Sequence, residues 1–202
     1  MDNKAYLDQI AVKGASSNKP ALITPAMIKF IIAGVIAFIV IIIVGTMLNS
    51  STQEDTEAYT KLYIRTTNLA NQGTSPLESY KYKIKSTKIL QYNSMLVTSL
   101  NNFNNTYGAL AEAAGFSTTG SAETVAEEAE IMNGITNDFE RGYLNGTLGQ
   151  SCANSMTYQI SLMLSLIQEI RATTTNEQVA VALDGLKSDL EKIQPLYANY
   201  KE

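Results

Sequence analysis

The sequence contains no histidine and no tryptophan, and Cys152 is its single cysteine. An internal disulfide is therefore excluded, as is a zinc site built from thiolates and imidazoles. The lack of histidine also removes Ser-His-Asp and Cys-His nucleophilic sites and the commonest general base near neutral pH. We accordingly expect no catalytic residue, no cofactor site and no metal site. Cys152 is expected to be buried and inert, with an intermolecular disulfide as the alternative in an oxidising compartment.

Basic residues are too few to outweigh the acids. The chain has 15 lysines and arginines against 19 aspartates and glutamates, which gives a formal net charge of −4 over 202 residues. Nucleic-acid binders need a basic surplus to neutralise phosphates, so DNA and RNA are not expected partners.

One long uncharged run is present: residues 30–48, FIIAGVIAFIVIIIVGTML, cover nineteen positions. At 1.5 Å per residue, a helix of this length spans roughly 29 Å, which matches a hydrocarbon core about 30 Å thick. Thr24 and Pro25 supply a helix start, so the predicted transmembrane signal anchor covers residues 25–48. A cleaved signal peptide is the alternative, but its apolar region is usually ~7–15 residues long.

Lysines flank this run on one side. Four of them precede it, at Lys4, Lys13, Lys19 and Lys29. No basic residue follows it until Lys61. The positive-inside rule then predicts a short cytoplasmic tail, residues 1–24, and an extracytoplasmic domain, residues 49–202, so the expected localisation is the cell membrane, crossed once. The lipid bilayer is the first expected partner. Ala33 and Ala37 have a spacing that allows close helix approach, so self-association is a further candidate.

Beyond the anchor, apolar residues recur at three- and four-residue steps, the period of helices that are buried on one face. This pattern predicts helices near residues 52–72, 76–115, 121–144, 152–172 and 176–194. The predicted fold class is therefore all-α: one N-terminal transmembrane helix followed by an antiparallel four- to five-helix bundle. Pro195 is expected to stop or kink the last helix.

The segment YKYKIK, residues 80–85, is the one place where the pattern is ambiguous. Its alternation of apolar residues and lysine is typical of a half-buried strand. Tyr82, however, also belongs to a seven-residue apolar repeat of the coiled-coil type. The other members of the repeat are Ile89, Leu96, Phe103 and Leu110. We therefore favour one unbroken helix from Pro76 to about Gly115, with the strand as the alternative.

Helical spacing would place Lys81, Lys85 and Lys88 on one side of this helix, near Tyr92, with Lys83 pointing elsewhere. Such a cluster is a candidate patch for an anionic polymer or an acidic partner. The alternative is a solvated face whose lysine stems cover apolar surface.

Acids crowd the start of the third predicted helix, at Glu123, Glu127, Glu128 and Glu130. Acids in the first turns of a helix commonly complement its dipole, and no calcium-loop pattern is present. A metal site is not expected there.

An anchored helical bundle without catalytic motifs predicts a non-catalytic interaction or structural protein of the cell envelope. Its partner would be an envelope protein or a second copy of the chain. The alternative is a ligand-sensing ectodomain that signals through a membrane partner, because a 24-residue tail is too short for an output domain. An enzyme is a third hypothesis, but no phosphate-binding loop, paired-carboxylate pattern or nucleophile elbow is visible.

Overall fold

A computed structural model describes residues 56–113 and 117–201, and it assigns helices and no strand to them. The helices are α1 (residues 56–70), α2 (Pro76–Ser79), α3 (Thr87–Ala113), α4 (Ala122–Leu144), α5 (Leu148–Thr173) and α6 (Glu177–Ala198). The all-α prediction is confirmed for this part of the chain.

The predicted membrane-related features lie outside the described residues. These are the tail of residues 1–24, the anchor of residues 25–48 and the Ala33–Ala37 pair. Among the helices of residues 56–113 and 117–201, none has both the length and the apolar character needed to cross a bilayer.

Side-chain caps start two of the helices where the sequence predicted them. Ser121 Oγ accepts a hydrogen bond from the Thr124 backbone N–H at 3.1 Å, at the start of α4. Asn176 Oδ1 accepts from the Val179 backbone N–H at 3.2 Å, at the start of α6. Such caps satisfy backbone donors that have no partner within the helix, which is why Ser and Asn are favoured at these positions.

Two predicted helix limits are corrected. α5 begins at Leu148 rather than at Cys152, because Gly146, with φ +73°, completes the preceding turn within three residues. α6 does not stop at Pro195 but continues to Ala198. The proline removes one backbone donor, yet the last turn buries Tyr197, and this burial offsets the lost hydrogen bond.

The five long helices form a ring in the order α1, α3, α6, α5, α4. α6 packs against α3 and α5, and α5 also packs against α4. α1 completes the ring through a Thr66–Asn104 hydrogen bond to α3 and an Arg65–Glu128 ion pair to α4. Five helices in a ring cannot all alternate in direction. α1 and α4 are accordingly parallel neighbours, while the other neighbouring pairs are antiparallel.

Most predicted apolar stripes form the core. The α5 stripe is fully buried and consists of Met156, Ile160, Met163, Ile167 and Ile170. Four positions that the apolar pattern assigns to the core are exposed instead: Tyr82, Val125, Ala129 and Tyr143. α4 buries the residues directly beside two of them, because Thr124 and Gly142 face the core in place of Val125 and Tyr143.

Candidate functional site

The chain turns sharply between α2 and α3, and residues 80–88 of this turn are called the basic corner. The backbone N–H groups of Lys83 and Ile84 donate to the Tyr80 carbonyl at 2.9 and 3.1 Å. Tyr80 and Ile84 are buried, whereas Tyr82 is 92% exposed. The predicted unbroken helix is therefore wrong, and so is the alternative strand.

The break has a geometric cause. Leu77, Tyr80 and Ile84 follow one helical stripe, and the buried stripe of α3 begins five residues later, at Ile89. Five residues at ~100° each rotate the buried face by about 140°, so one straight helix could not turn both stripes to the same core. Tyr80 packs edge-on against Phe139 of α4, with ring centroids 5.7 Å apart, and the chain changes direction beyond it.

Positive charge is concentrated at the basic corner. Four of the 15 basic residues of the chain lie within positions 81–88, where no acid occurs. They are Lys81, Lys83, Lys85 and Lys88, and all are exposed. Lys81 Nζ lies 3.3 Å from Glu78 Oε1, but the other three have no carboxylate oxygen within 4.0 Å among residues 56–113 and 117–201. Lys85 and Lys88 also flank the start of α3, where the helix dipole disfavours cations.

Lys83 joins the basic corner to the end of α4. Its Nζ lies 4.4 Å from the centre of the Tyr80 ring and 5.1 Å from the centre of the Tyr143 ring, within the range of cation–π attraction. Tyr143 is 50% exposed and Leu144 is 75% exposed. Exposed aromatic surface thus borders Lys83.

The four residues predicted as an anionic-partner patch do not share one helix face. Lys81 and Lys85 lie in the turn itself, and Lys88 lies in the first turn of α3. Tyr92 is half-buried, and its ring packs edge-on against Tyr197 at 5.6 Å between centroids. Lys83, which helical spacing placed on a different side of the helix, is exposed like the other three lysines. Binding of an anionic partner stays a prediction.

Two of the four acids near the start of α4, Glu127 and Glu128, form ion pairs with α1. Glu128 is buried against Arg65, and Glu127 Oε2 lies 3.1 Å from Lys61 Nζ. Lys61 also contacts Glu57 at 2.9 Å, and hydrogen bonds to Glu57 and then Glu127 raise the pKa of its ammonium group. No cluster of three side chains suited to a metal ion occurs in the described ranges.

A buried polar group lies between α3, α5 and α6. Asn93 Oδ1 accepts from the Tyr197 hydroxyl at 2.7 Å and from the Cys152 thiol at 3.5 Å. Burial raises the pKa of Cys152 to about 12 and raises the pKa of Tyr197 well above its ordinary value. Cys152 is buried, as predicted, and holds its proton at neutral pH. Asn93 Nδ2, in contrast, is buried and finds no acceptor in the described part of the chain.

A cleft of about 490 Å³ opens between the end of α1, the basic corner and α3. Leu77, Leu90 and Val97 supply apolar wall, and Asn93 is among the residues that line the cleft. Further amides and hydroxyls line it at Asn71, Gln72, Ser75, Ser94, Thr98 and Asn101. Its only charged lining residues among those described are Lys81 and Glu78, which pair with each other.

Comparison with known proteins assigns the chain to no group. No protein-family model matches it, no curated protein is similar enough to count as a match, and no solved structure shares its fold at a significant level.

Proposed function

We propose that this protein is a membrane-anchored, extracytoplasmic helical bundle that acts as a non-catalytic interaction protein of the cell envelope. Its acidic partner would bind at the basic corner. One observation carries the proposal: Lys83, Lys85 and Lys88 are exposed without an acidic partner among the described residues, beside the exposed rings of Tyr82 and Tyr143.

Charge argues for an acidic partner. The chain as a whole is negative, so a local group of lysines creates a field of the opposite sign that steers anionic surfaces to this end of the bundle. Tyr82 within the basic corner and Tyr143 against Lys83 add exposed aromatic area next to that charge. Aromatic side chains are enriched at the centre of protein interfaces, where they contribute more binding free energy than surrounding charges.

Features of residues 1–48 of the sequence support the membrane anchor. Residues 30–48 have the length and apolar character of a bilayer span, and under the positive-inside rule the lysines before them favour a cytoplasmic N-terminus. α1 runs from residue 56 towards the basic corner, so residue 56 and the basic corner lie at opposite ends of this helix.

Charge reversal tests the partner surface. We expect the triple variant Lys83→Glu/Lys85→Glu/Lys88→Glu of the full-length protein to lose at least about tenfold in affinity for immobilised poly-glutamate at low salt. A matched triple variant reverses three exposed lysines near or on α6: Lys187, Lys192 and Lys201. This control variant changes the net charge equally. Its affinity for poly-glutamate should stay close to that of wild type after correction for net charge. Equal losses in both variants would contradict the proposal.

The same two variants can be compared by crosslinking in the native membrane. Crosslinking in the native membrane should capture an acidic protein with wild type and with the α6 control, but not with the corner variant. Exchange of Tyr82 for Ser, which leaves every lysine in place, should weaken capture as well, because exposed aromatic area is lost.

Protease treatment of intact cells tests the topology. The bundle should be digested from outside, while a tag fused to residue 1 stays protected, and the chain should remain in the membrane fraction after a carbonate wash. Protection of the bundle in intact cells would refute the extracytoplasmic placement.

A second candidate is a ligand-sensing ectodomain. The cleft between α1, the basic corner and α3 favours it, because clefts of about 300–1,000 Å³ with apolar walls and a few polar groups are typical of small-molecule sites.

A further inference from the structure

We propose that the Asn145–Gly146 pair is a site of spontaneous deamidation, where the folded protein loses ammonia from Asn145 and gains a carboxylate beside the basic corner. The reaction involves none of the lysines of the basic corner, and it needs no partner.

The pair lies where α4 ends and the turn to α5 begins. Asn145 is the exposed residue that caps the end of α4, and Gly146 follows it in the turn with φ +73°. No atom lies within 4 Å of the place where a Cβ of Gly146 would be. Since a glycine has no side chain beside its backbone nitrogen, nothing obstructs the approach of the Asn145 amide carbon to that nitrogen.

The reaction joins the side chain of Asn145 to the backbone. The Gly146 backbone nitrogen attacks Asn145 Cγ, the Cγ–Nδ2 bond breaks, and ammonia leaves with the proton of the attacking nitrogen. Water then opens the succinimide ring. Cleavage of the bond between the nitrogen and Cγ yields aspartate, and cleavage of the bond between the nitrogen and the backbone carbonyl carbon yields isoaspartate. Both products carry a carboxylate in place of a neutral amide.

A second Asn-Gly pair, Asn133–Gly134, provides a comparison within the same chain. Asn133 is exposed like Asn145, but it lies in the middle of α4. Ring closure there would need a rotation of the backbone that breaks helical hydrogen bonds on both sides. Asn133 should therefore react only when the helix itself opens.

Ring closure at Asn145 needs only the turn after α4 to open. The Gly146 N–H donates to the Tyr143 carbonyl at 3.2 Å, and the Thr147 N–H donates to the Gly142 carbonyl at 2.7 Å. Helix ends open with a much smaller free-energy cost than helix interiors. Asn145 should accordingly deamidate first.

The new carboxylate would lie near the basic corner. Asn145 follows Tyr143 by two residues, and the centre of the Tyr143 ring lies 5.1 Å from Lys83 Nζ. Lys83 has no acidic partner among the described residues, so a carboxylate nearby would weaken the positive field there. This effect on partner binding rests on the proposed function, whereas the deamidation itself does not.

Mass spectrometry of the full-length protein, aged at mildly alkaline pH and then digested, tests the site. Each deamidated peptide gains the mass difference between a hydroxyl and an amino group. We expect Asn145 to deamidate at least about tenfold faster than Asn133, because the helix end opens more easily. In protein unfolded with guanidinium, the two rates should agree within about threefold, because no helix then protects Asn133.

Two results would overturn the site. One is deamidation of Asn133 in the folded protein at a rate equal to or above that of Asn145. The other is deamidation of Asn145 only after the protein unfolds, because the turn would then protect it as well as the helix protects Asn133.

Two aspartate variants measure the effect on the basic corner. Asn145→Asp and Asn133→Asp change the net charge equally, but about 18 Å of helix separates the two positions. This exceeds the Debye length of about 10 Å at 0.1 M salt. At that salt concentration, Asn145→Asp should weaken binding of the full-length protein to immobilised poly-glutamate at least about twofold, and Asn133→Asp should leave it unchanged.

The outcomes separate this inference from the proposed function. Equal affinities of the two aspartate variants, both bound, would overturn the effect on the basic corner. Absence of poly-glutamate binding by the wild type and by both variants would contradict the proposed function, while the rates of Asn145 and Asn133 in the aged protein still decide the deamidation site.

Discussion

Arg65 and Glu128 form a two-pronged ion pair between the parallel helices α1 and α4. Arg65 Nε donates to Glu128 Oε2 at 2.9 Å, and Nη2 donates to Oε1 at 2.7 Å. Only 7% of the arginine side chain and 1% of the glutamate side chain are exposed. Burial makes the removal of water from both charges costly, so the pair matters most when one member is lost.

Exchange of Glu128 for Ala should destabilise the protein by about 3–5 kcal/mol, because Arg65 would stay buried without a counter-charge. Chemical denaturation of the full-length protein measures the effect. The exposed pair of Lys187 and Glu191, 3.8 Å apart, provides the control: Glu191→Ala should cost less than about 1 kcal/mol. The double variant Arg65→Met/Glu128→Leu should recover most of the loss. A cost as small as that of Glu191→Ala would contradict the structural role of the pair.

Exchange of Tyr197 for Phe removes one hydroxyl group. Asn93 Oδ1 would retain only the weak Cys152 thiol donor, and the expected loss of stability is about 1–3 kcal/mol. Tyr158 is 61% exposed on α5, so Tyr158→Phe serves as a matched control that should stay within about 0.5 kcal/mol of wild type. Equal thermal midpoints for the two variants would refute the buried hydrogen bond.

Two glycines of α4 should respond to alanine in opposite directions. A Cβ at Gly142 would overlap the Ser151 side chain and lie 3.1 Å from the Leu148 backbone, so Gly142→Ala should destabilise by about 1–3 kcal/mol through overpacking. A Cβ at Gly134 would meet nothing within 4 Å, so Gly134→Ala should stabilise by about 0.5–1 kcal/mol through helix propensity. Urea denaturation of both variants checks the signs, and destabilisation at Gly134 would contradict the open space beside it.

Alkaline pH should weaken the fold. Burial raises the pKa of Cys152 from 9.0 to about 12, so above about pH 9 the unfolded chain releases this proton before the folded chain does. The unfolded state then binds fewer protons, and the free energy of unfolding falls as pH rises. Tyr197 adds to the fall above its ordinary pKa of 10.0. Cys152→Ala should reduce the slope between about pH 9 and 10.

Thiol labelling provides an independent measurement. A shift from 9.0 to about 12 lowers the thiolate fraction at pH 8 about a thousandfold, so iodoacetamide should modify Cys152 only after the protein unfolds. Rapid labelling of the folded protein would contradict the buried position of the thiol.

The apolar pattern did not identify the polar residues on the buried faces of the helices, although the spacing of these residues indicates burial. Asn93 lies four residues after Ile89 and three before Leu96, within the predicted stripe of α3. Arg65 likewise lies between Leu62 and Leu69 on the buried face of α1. A polar residue at a core position of a helical repeat predicts a buried partner, but the partner lies on another helix, and helix neighbours are not visible in a linear pattern.

Local chemistry was enough to predict that the described bundle is helical, but not the break between α2 and α3 or the limits of α5 and α6. Helical periodicity identified the stripes of α1, α3, α5 and α6, and the caps at Ser121 and Asn176 set two starts, because these effects act within a few residues. Only the tertiary structure decided the basic corner, the cleft and the pairing of Arg65 with Glu128. Each depends on which helices become neighbours, and that is determined by burial and ion pairing between residues far apart in the chain.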